Sequence, residues 1–336
     1  MKKTVVLFSV TVLSISAFAQ FPVVPDSVYN FIKRNSVFRN TVDWQKADAA
    51  FHSCIASAKN IKDTMNCFVD IVKQMNDVHS AFFLNNEYYG HYNPIEDSVY
   101  KLIKPIRERA MAVNGKFHTT VLNKKYAYVM VPAIGAYGPE QVNQYAQALF
   151  DSVCTFNSRK IKGFIIDLRL NSGGNMYPML GGLSSLLGNT VVGYETDIDN
   201  SEVRKWEIRD NNFFTGGYQA TDIKKTCSTD HTKMPVVVLI GPITGSSGSM
   251  TAIAFKQRPN SYFIGEPTAD GYTTSNGFFQ YPPNLSINLA CYFAADRQKN
   301  VYKTTVNPDL IIAGGDNFNE LMKDEKIKRA LAWLAK

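Results

Sequence analysis

The sequence predicts an α/β fold with parallel core strands behind a helical N-terminal segment. Three observations predict it. Residues 25–115 show apolar positions at helical spacing. After Gly115 short β-branched runs alternate with helical stretches. Several of those runs, such as GFII and PVVVLI, are apolar throughout, as expected of strands buried on both faces.

Each element has its own signal. VPDSVYNFIKRNSVF begins a helix with Asp26 as a cap, and DWQKADAAFHSCIASAKN and DTMNCFVDIVKQM continue the pattern. EDSVYKLIKPIRERAMAVNG is helical, with Pro105 expected to kink or split it. FHTTVLN and KKYAYVMVPAI read as strands joined by a hairpin turn at Asn123–Lys124. GPEQVNQYAQALFDSVCTF is a helix, KGFIIDLRL a buried strand, and MYPMLGGLSSLLG a helix interrupted by glycines. VVGYETD, KWEIRD, MPVVVLI and SYFIGEP are strands, and MTAIAFKQR is a helix. FFQYPPNLSINLACYF is a hairpin, and KDEKIKRALAWLAK closes the chain as an amphipathic helix.

The first 19 residues, MKKTVVLFSVTVLSISAFA, have a charged start, an apolar run and a small-x-small end. They read as a secretory signal peptide cut after Ala19, which places the mature chain in a periplasm or outside the cell. No Cys stands at the cut, which argues against a lipid anchor, and no later apolar run is long enough to span a membrane. The expected division is signal peptide 1–19, helical region 20–115 and α/β core 116–336. Without Lys2 and Lys3 the formal net charge falls from +7 to +5, and no long Lys/Arg run occurs, so nucleic acid is excluded as a partner class. Of the five cysteines, Cys54 and Cys67 lie 13 apart in one helical region and can pair. No Cys or His pattern has metal-ligand spacing, and no cofactor is expected.

Four segments can carry chemistry. In NSGGN (171–175), Gly173 and Gly174 follow a strand and can expose backbone N–H groups. In GPITGSSGSM (241–250), a buried strand empties into glycines and hydroxyls before a helix. That is a plain turn or a nucleophile held at a helix N-terminus, where free N–H groups stabilise an oxyanion. In QMNDVHSAFF (74–83), His79 sits in a compact polar cluster. In SYFIGEPTADGYTTSNG (261–277), Glu266 stands at a strand end before a loop rich in Gly, Thr and Ser.

Taken in order, IIDLRLNSGG, TGSSGS and FIGEPTADG resemble the C-terminal processing (tail-specific) serine proteases, whose relatives include the tricorn core and retinoid-binding proteins. DVHSAFF resembles the family's Asp-x-His segment, and VYKTTVNPDLII its closing Pro-Asp element. The resemblance covers about residues 70–315. It implies a crotonase-like (ClpP-like) core, a peptide or protein substrate and acyl-enzyme chemistry. The family's nucleophile lies three residues before a Glu. Here that position holds Ser249, which makes Ser246 the matching nucleophile. The Ser247 N–H is then one oxyanion donor, and that of Gly173 or Gly174 the other. The family's Lys base is absent from Ala269-Asp270-Gly271-Tyr272, so the resemblance to the tricorn-like branch points to His79 as base. Its late acid is absent too; Glu266 is expected to orient His79, with Asp77 and Asp270 as alternatives. Only 47 positions separate His79 from Tyr126, too few for a PDZ domain of roughly 80–100 residues. The same fold without these groups would serve as a non-catalytic binder of an apolar ligand or peptide.

Overall fold

The computed structural model describes residues 25–156, 160–224, 230–281 and 284–336. The expected signal peptide lies outside them. Three helices open the chain: α1 (Pro25–Asn35), α2 (Trp44–Ser57) and α3 (Ile61–Gln74). Asp43 and Asn60 cap the second and third by accepting backbone N–H bonds. Cys54 and Cys67 form a disulfide between α2 and α3.

The chain then turns into a hairpin, β1 (Ala81–Leu84) and β2 (Glu87–Gly90), followed by α4 (Asp97–Val113). The hairpin turn is Asn85-Asn86, both at positive φ, a conformation that Asn tolerates. Sequence reading assigned this region to helices and missed the Asn-Asn signal. Helix α4 runs through Pro105 without a break. The carbonyl that Pro105 leaves unbonded belongs to Lys101, which is exposed and can be hydrated.

The core follows as β3 (His118–Leu122), β4 (Tyr126–Met130), α5 (Gly138–Cys154), β5 (Gly163–Asp167), α6 (Met176–Gly182) and α7 (Ser184–Leu187). Next come β6 (Val191–Thr196), β7 (Glu202–Arg209), β8 (Asn212–Thr215), β9 (Tyr218–Gln219), β10 (Val236–Ile240), α8 (Ser247–Phe255) and β11 (Ser261–Gly265). The chain ends with β12 (Thr274–Tyr281), β13 (Leu285–Asp296), β14 (Val301–Tyr302), β15 (Leu310–Ile311) and α9 (Glu325–Leu334). The turn between β3 and β4 is Asn123-Lys124, both at positive φ.

Two sheets result. The first has the order β15-β11-β10-β5-β4-β3, parallel except for β3. Strands β4, β5 and β10 are buried at every position, which is why they read as unbroken apolar runs. The second sheet is antiparallel and nine-stranded, ordered β2-β1-β13-β6-β7-β8-β9, with β12 and β14 also on β13. The N-terminal helices do not form a core of their own. Phe51, Phe68 and Ile71 share one apolar cluster with Leu285, Ile287 and Leu289 of β13. This attachment through β13 brings the end of α3 over the C-terminal ends of β5 and β10.

Candidate active site

The site is built from the turn after β10. Ser246 has φ 50° and ψ −124°, strained for a residue with a side chain. Four hydrogen bonds hold the turn: Ser246 N–H to Tyr272 O (3.0 Å), Met250 N–H to Ser246 O (3.0 Å), Gly248 N–H to Gly245 O (2.8 Å) and Gly245 N–H to Asn171 O (3.0 Å). Ser246 occupies the N-cap position of α8, where a serine ordinarily turns back to accept a backbone N–H. Its side chain makes no such bond. The strain points Oγ outward, where it lies 2.9 Å from His79 Nε2.

His79 sits in the turn between α3 and β1. The buried Asp77 carboxylate accepts from the His79 and Ser80 N–H groups (2.9 Å each), and Ser80 Oγ accepts from Ala290 N–H of β13 (2.8 Å). Asp77 therefore orients the backbone of His79, not its ring. The ring's other nitrogen, Nδ1, lies 2.6 Å from Thr274 Oγ1.

The protonation of this chain can be deduced. Asn276 Nδ2 donates to the His79 carbonyl (3.0 Å), which can only accept, and this fixes the amide orientation. Asn276 Oδ1 then accepts from Thr274 Oγ1 (2.9 Å), which consumes the hydroxyl proton. Thr274 Oγ1 must in turn accept from His79 Nδ1–H. The Nε2 lone pair is left facing Ser246, as a general base requires.

Glu266, expected as the orienting acid, stands elsewhere. Its Oε2 accepts from Lys326 Nζ at 2.7 Å, and Asp316 takes a second Lys326 proton at 2.8 Å. Lys326 is fully buried, and a buried ammonium requires such counter-charges. Asp270 is exposed on its loop. The ring is thus held by Thr274, which Asn276 supports in turn, and sequence reasoning missed both because it searched for a carboxylate. The TTSNG run within the fourth candidate segment held both.

Burial pushes the His79 pKa down from 6.5 to about 4, with no carboxylate on the ring to oppose it. The ring is charged below that value and neutral above it. kcat/KM is therefore expected to rise through a pH near 4 and to be flat from about 5.5 to 7. A pH–rate profile with its acid limb near 6.5 would contradict a desolvated, unopposed imidazole.

Of the three expected oxyanion donors, two are available. Gly173 N–H is bonded to Asn171 Oδ1 (3.0 Å). Gly174 N–H and Ser247 N–H have no acceptor among the described residues. Ser247 Oγ donates to Gly174 O (2.8 Å), which locks the two segments side by side. Gly174 has φ +105°, and a Cβ there would collide with the Ile134 carbonyl. A Cβ on Gly173 would lie 2.7 Å from that of Ser246. Behind the loop, Arg169 is buried among Asp167, Asp316 and Asp324, which ties β5 to the C-terminal helix. Ser249, where the resembled family carries Glu, is buried with no partner for its Oγ among the described residues.

His79 and Ser246 face a groove of about 480 Å³ lined also by Tyr177, Arg204 and Phe278. Among the described residues no cluster of His, Cys, Asp and Glu has the makings of a metal site, and no helix is long and apolar enough to cross a membrane.

Residues 125–312, more than half of the chain, match the model of peptidase family S41. The chain belongs to that family. Within the S41 match lie the Gly173–Gly174 loop, the Ser246 turn and Thr274–Asn276; His79 comes from the helical region before it. The chain is 29% identical over 275 residues to the nisin-resistance protein of Lactococcus lactis subsp. lactis, covering 82% of this chain and 78% of that one. Its fold is similar to that of a lipoprotein from Streptococcus agalactiae (TM-score 0.69, 23% identity, 93% of this chain and 94% of that one). It is also similar to the photosystem II D1 C-terminal processing protease (TM-score 0.54, 12% identity, 91% and 96% covered). The architecture common to these folds is a mixed α/β core with a helical N-terminal region.

Proposed function

We propose that the chain is an exported serine peptidase that cleaves peptide bonds through an acyl-enzyme on Ser246. The observation that carries this reading is the 2.9 Å contact from Ser246 Oγ to a His79 nitrogen whose lone pair is fixed by Thr274 and Asn276. Ser246 Oγ attacks the scissile carbonyl while its proton passes to His79 Nε2. The carbonyl oxygen becomes an oxyanion, bound by the N–H groups of Gly174 and Ser247 at the N-terminus of α8. The imidazolium then gives its proton to the leaving amine, and the C–N bond breaks. Water, deprotonated by the same nitrogen, attacks the ester, and Ser246 regains its proton as the acid product leaves.

The finer assignments belong to the same proposal. The core is of the crotonase-like class. The chain before about residue 116 is the helical region that delivers His79. The mature protein works in a periplasm or outside the cell, on peptide or protein substrates. The name of the Lactococcus lactis relative makes nisin one peptide to assay.

The test is covalent labelling with a fluorophosphonate. One phosphonyl group is expected on the peptide containing Ser246, together with loss of peptide hydrolysis, and no labelling in His79→Ala. Hydrolysis that continues in fully labelled protein would remove Ser246 as the nucleophile, and no label with no hydrolysis would leave a binding protein on a peptidase fold.

A further inference from the structure

Past His79 the groove leads to a second polar group. Strands β6 and β7 set Glu195 opposite Arg204, with Oε2 3.1 Å from Nη1. Glu195 is 3% exposed, and its Oε1 accepts from Ser275 Oγ at 2.7 Å. Ser275 directly follows Thr274, so this carboxylate stands one residue along the strand from the partner of the catalytic ring. Oε1 is hydrogen-bonded, and Oε2 meets Arg204 as an ion pair without a hydrogen bond among the described residues.

Arg204 is the reverse case. Its side chain is 43% exposed. The guanidinium lies 4.7 Å over the Tyr292 ring, and Nη2 donates to Tyr292 Oη at 3.1 Å. A guanidinium carries five N–H donors. Tyr292 takes one in a hydrogen bond and Glu195 faces Nη1 as an ion pair, which leaves further donors on a group already held in place. The other ionisable base in the groove, His79, is neutral at pH 7. Arg204 is therefore the accessible full charge.

The chemistry favours an anion over a cation here. A cationic substrate group reaches the buried Glu195 carboxylate only by displacing Arg204 from it, which is costly. A carboxylate can add to the free edge of Arg204 and break nothing. This chain already holds one guanidinium among several carboxylates, Arg169 with Asp167, Asp316 and Asp324. Planar bidentate pairing suits arginine to that task.

We propose that Arg204 is a specificity residue of the groove that binds a carboxylate of the substrate peptide, either its C-terminal carboxylate or an Asp or Glu side chain. Glu195 and Tyr292 act as positioning residues for its guanidinium. The inference rests on the peptidase reading above, and its test separates the two.

The experiment measures peptide binding to the Ser246→Ala protein and kcat/KM of the Ser246 protein on one matched peptide set. The set holds a free C-terminal acid, its amide, and amides carrying Glu or Gln at one internal position. The carboxylate-bearing peptide is expected to be favoured about tenfold or more. An acid-over-amide preference assigns the chain terminus, and a Glu-over-Gln preference the side chain. That ratio should fall to near one in Arg204→Gln, persist in reduced form in Arg204→Lys, and increase in Glu195→Gln, which removes the competing charge but keeps the guanidinium. Equal affinity for all peptides, or an equal loss for all in Arg204→Gln with no gain in Glu195→Gln, would overturn the proposal and make Arg204 only the counter-ion of Glu195. Arg204-dependent preference in binding without turnover would uphold the subsite and remove the peptidase reading. Turnover without preference would do the opposite.

Discussion

Replacing Ser246 by Ala is expected to lower kcat for peptide hydrolysis by about 10⁴- to 10⁶-fold and to leave the melting temperature within a few degrees of the parent. His79→Ala should cost about as much, and the double variant no more than either single one. The reason is that the two side chains act as one unit. Without Nε2 to take its proton, the hydroxyl is a poor nucleophile; without the hydroxyl, the base has nothing to activate. What is expected to survive is the contribution of the proposed oxyanion donors Gly174 and Ser247, which both variants keep. The fold should tolerate the changes. Ser246 Oγ caps no backbone group, and its turn is held through main-chain bonds to Tyr272, Asn171 and Met250. Steady-state kinetics on the three proteins, with thermal melts alongside, decide the matter. Unchanged turnover in Ser246→Ala, or losses that add in the double variant, would remove Ser246 and His79 from a common mechanism.

How far this site was legible in the sequence depended on range. Local signals carried well. The empty strand end at GPITGSSGSM, the paired glycines of NSGG and the Asn123-Lys124 turn all follow from backbone constraints within a few residues. The pairing of Ser246 with His79 was reachable only through resemblance, because 167 residues separate them. The partners of the ring were not reached. Sequence reading looked for an acid, and Glu266 occupied a strand end with the right texture. Nothing local indicates that Lys326, sixty residues later, is fully buried and takes that carboxylate. Thr274 and Asn276 look like ordinary loop residues until β12 pairs with β13 and brings them under the ring. Likewise the Gly173 N–H could be removed from the expected oxyanion donors only once Asn171 was seen to curl back onto it.

The second large effect concerns that neutral partner. Thr274→Val keeps the shape of the side chain but removes Oγ1. It is expected to reduce kcat by about 10²- to 10⁴-fold with little change in KM. Two consequences follow from the missing oxygen. His79 Nδ1–H and Asn276 Oδ1 both lose their partner in a buried place. The imidazole is also free to carry its proton on Nε2, and in that tautomer it cannot accept from Ser246. Thr274→Ser restores the hydroxyl and should recover activity to within about tenfold of the parent. Nitrogen-15 NMR of the labelled ring separates this account from a loss of packing. The parent and Thr274→Ser should show the Nδ1–H form at pH 7, and Thr274→Val a mixture. A Thr274→Val protein that keeps both the Nδ1–H form and its rate would show that packing alone aligns the ring. Among the described residues no carboxylate bonds the His79 ring, so the imidazolium proposed to form during attack has no paired negative charge. The electrostatic stabilisation must then come from the oxyanion side, from two backbone N–H groups and the N-terminus of α8, and a low His79 pKa is the expected companion of that arrangement.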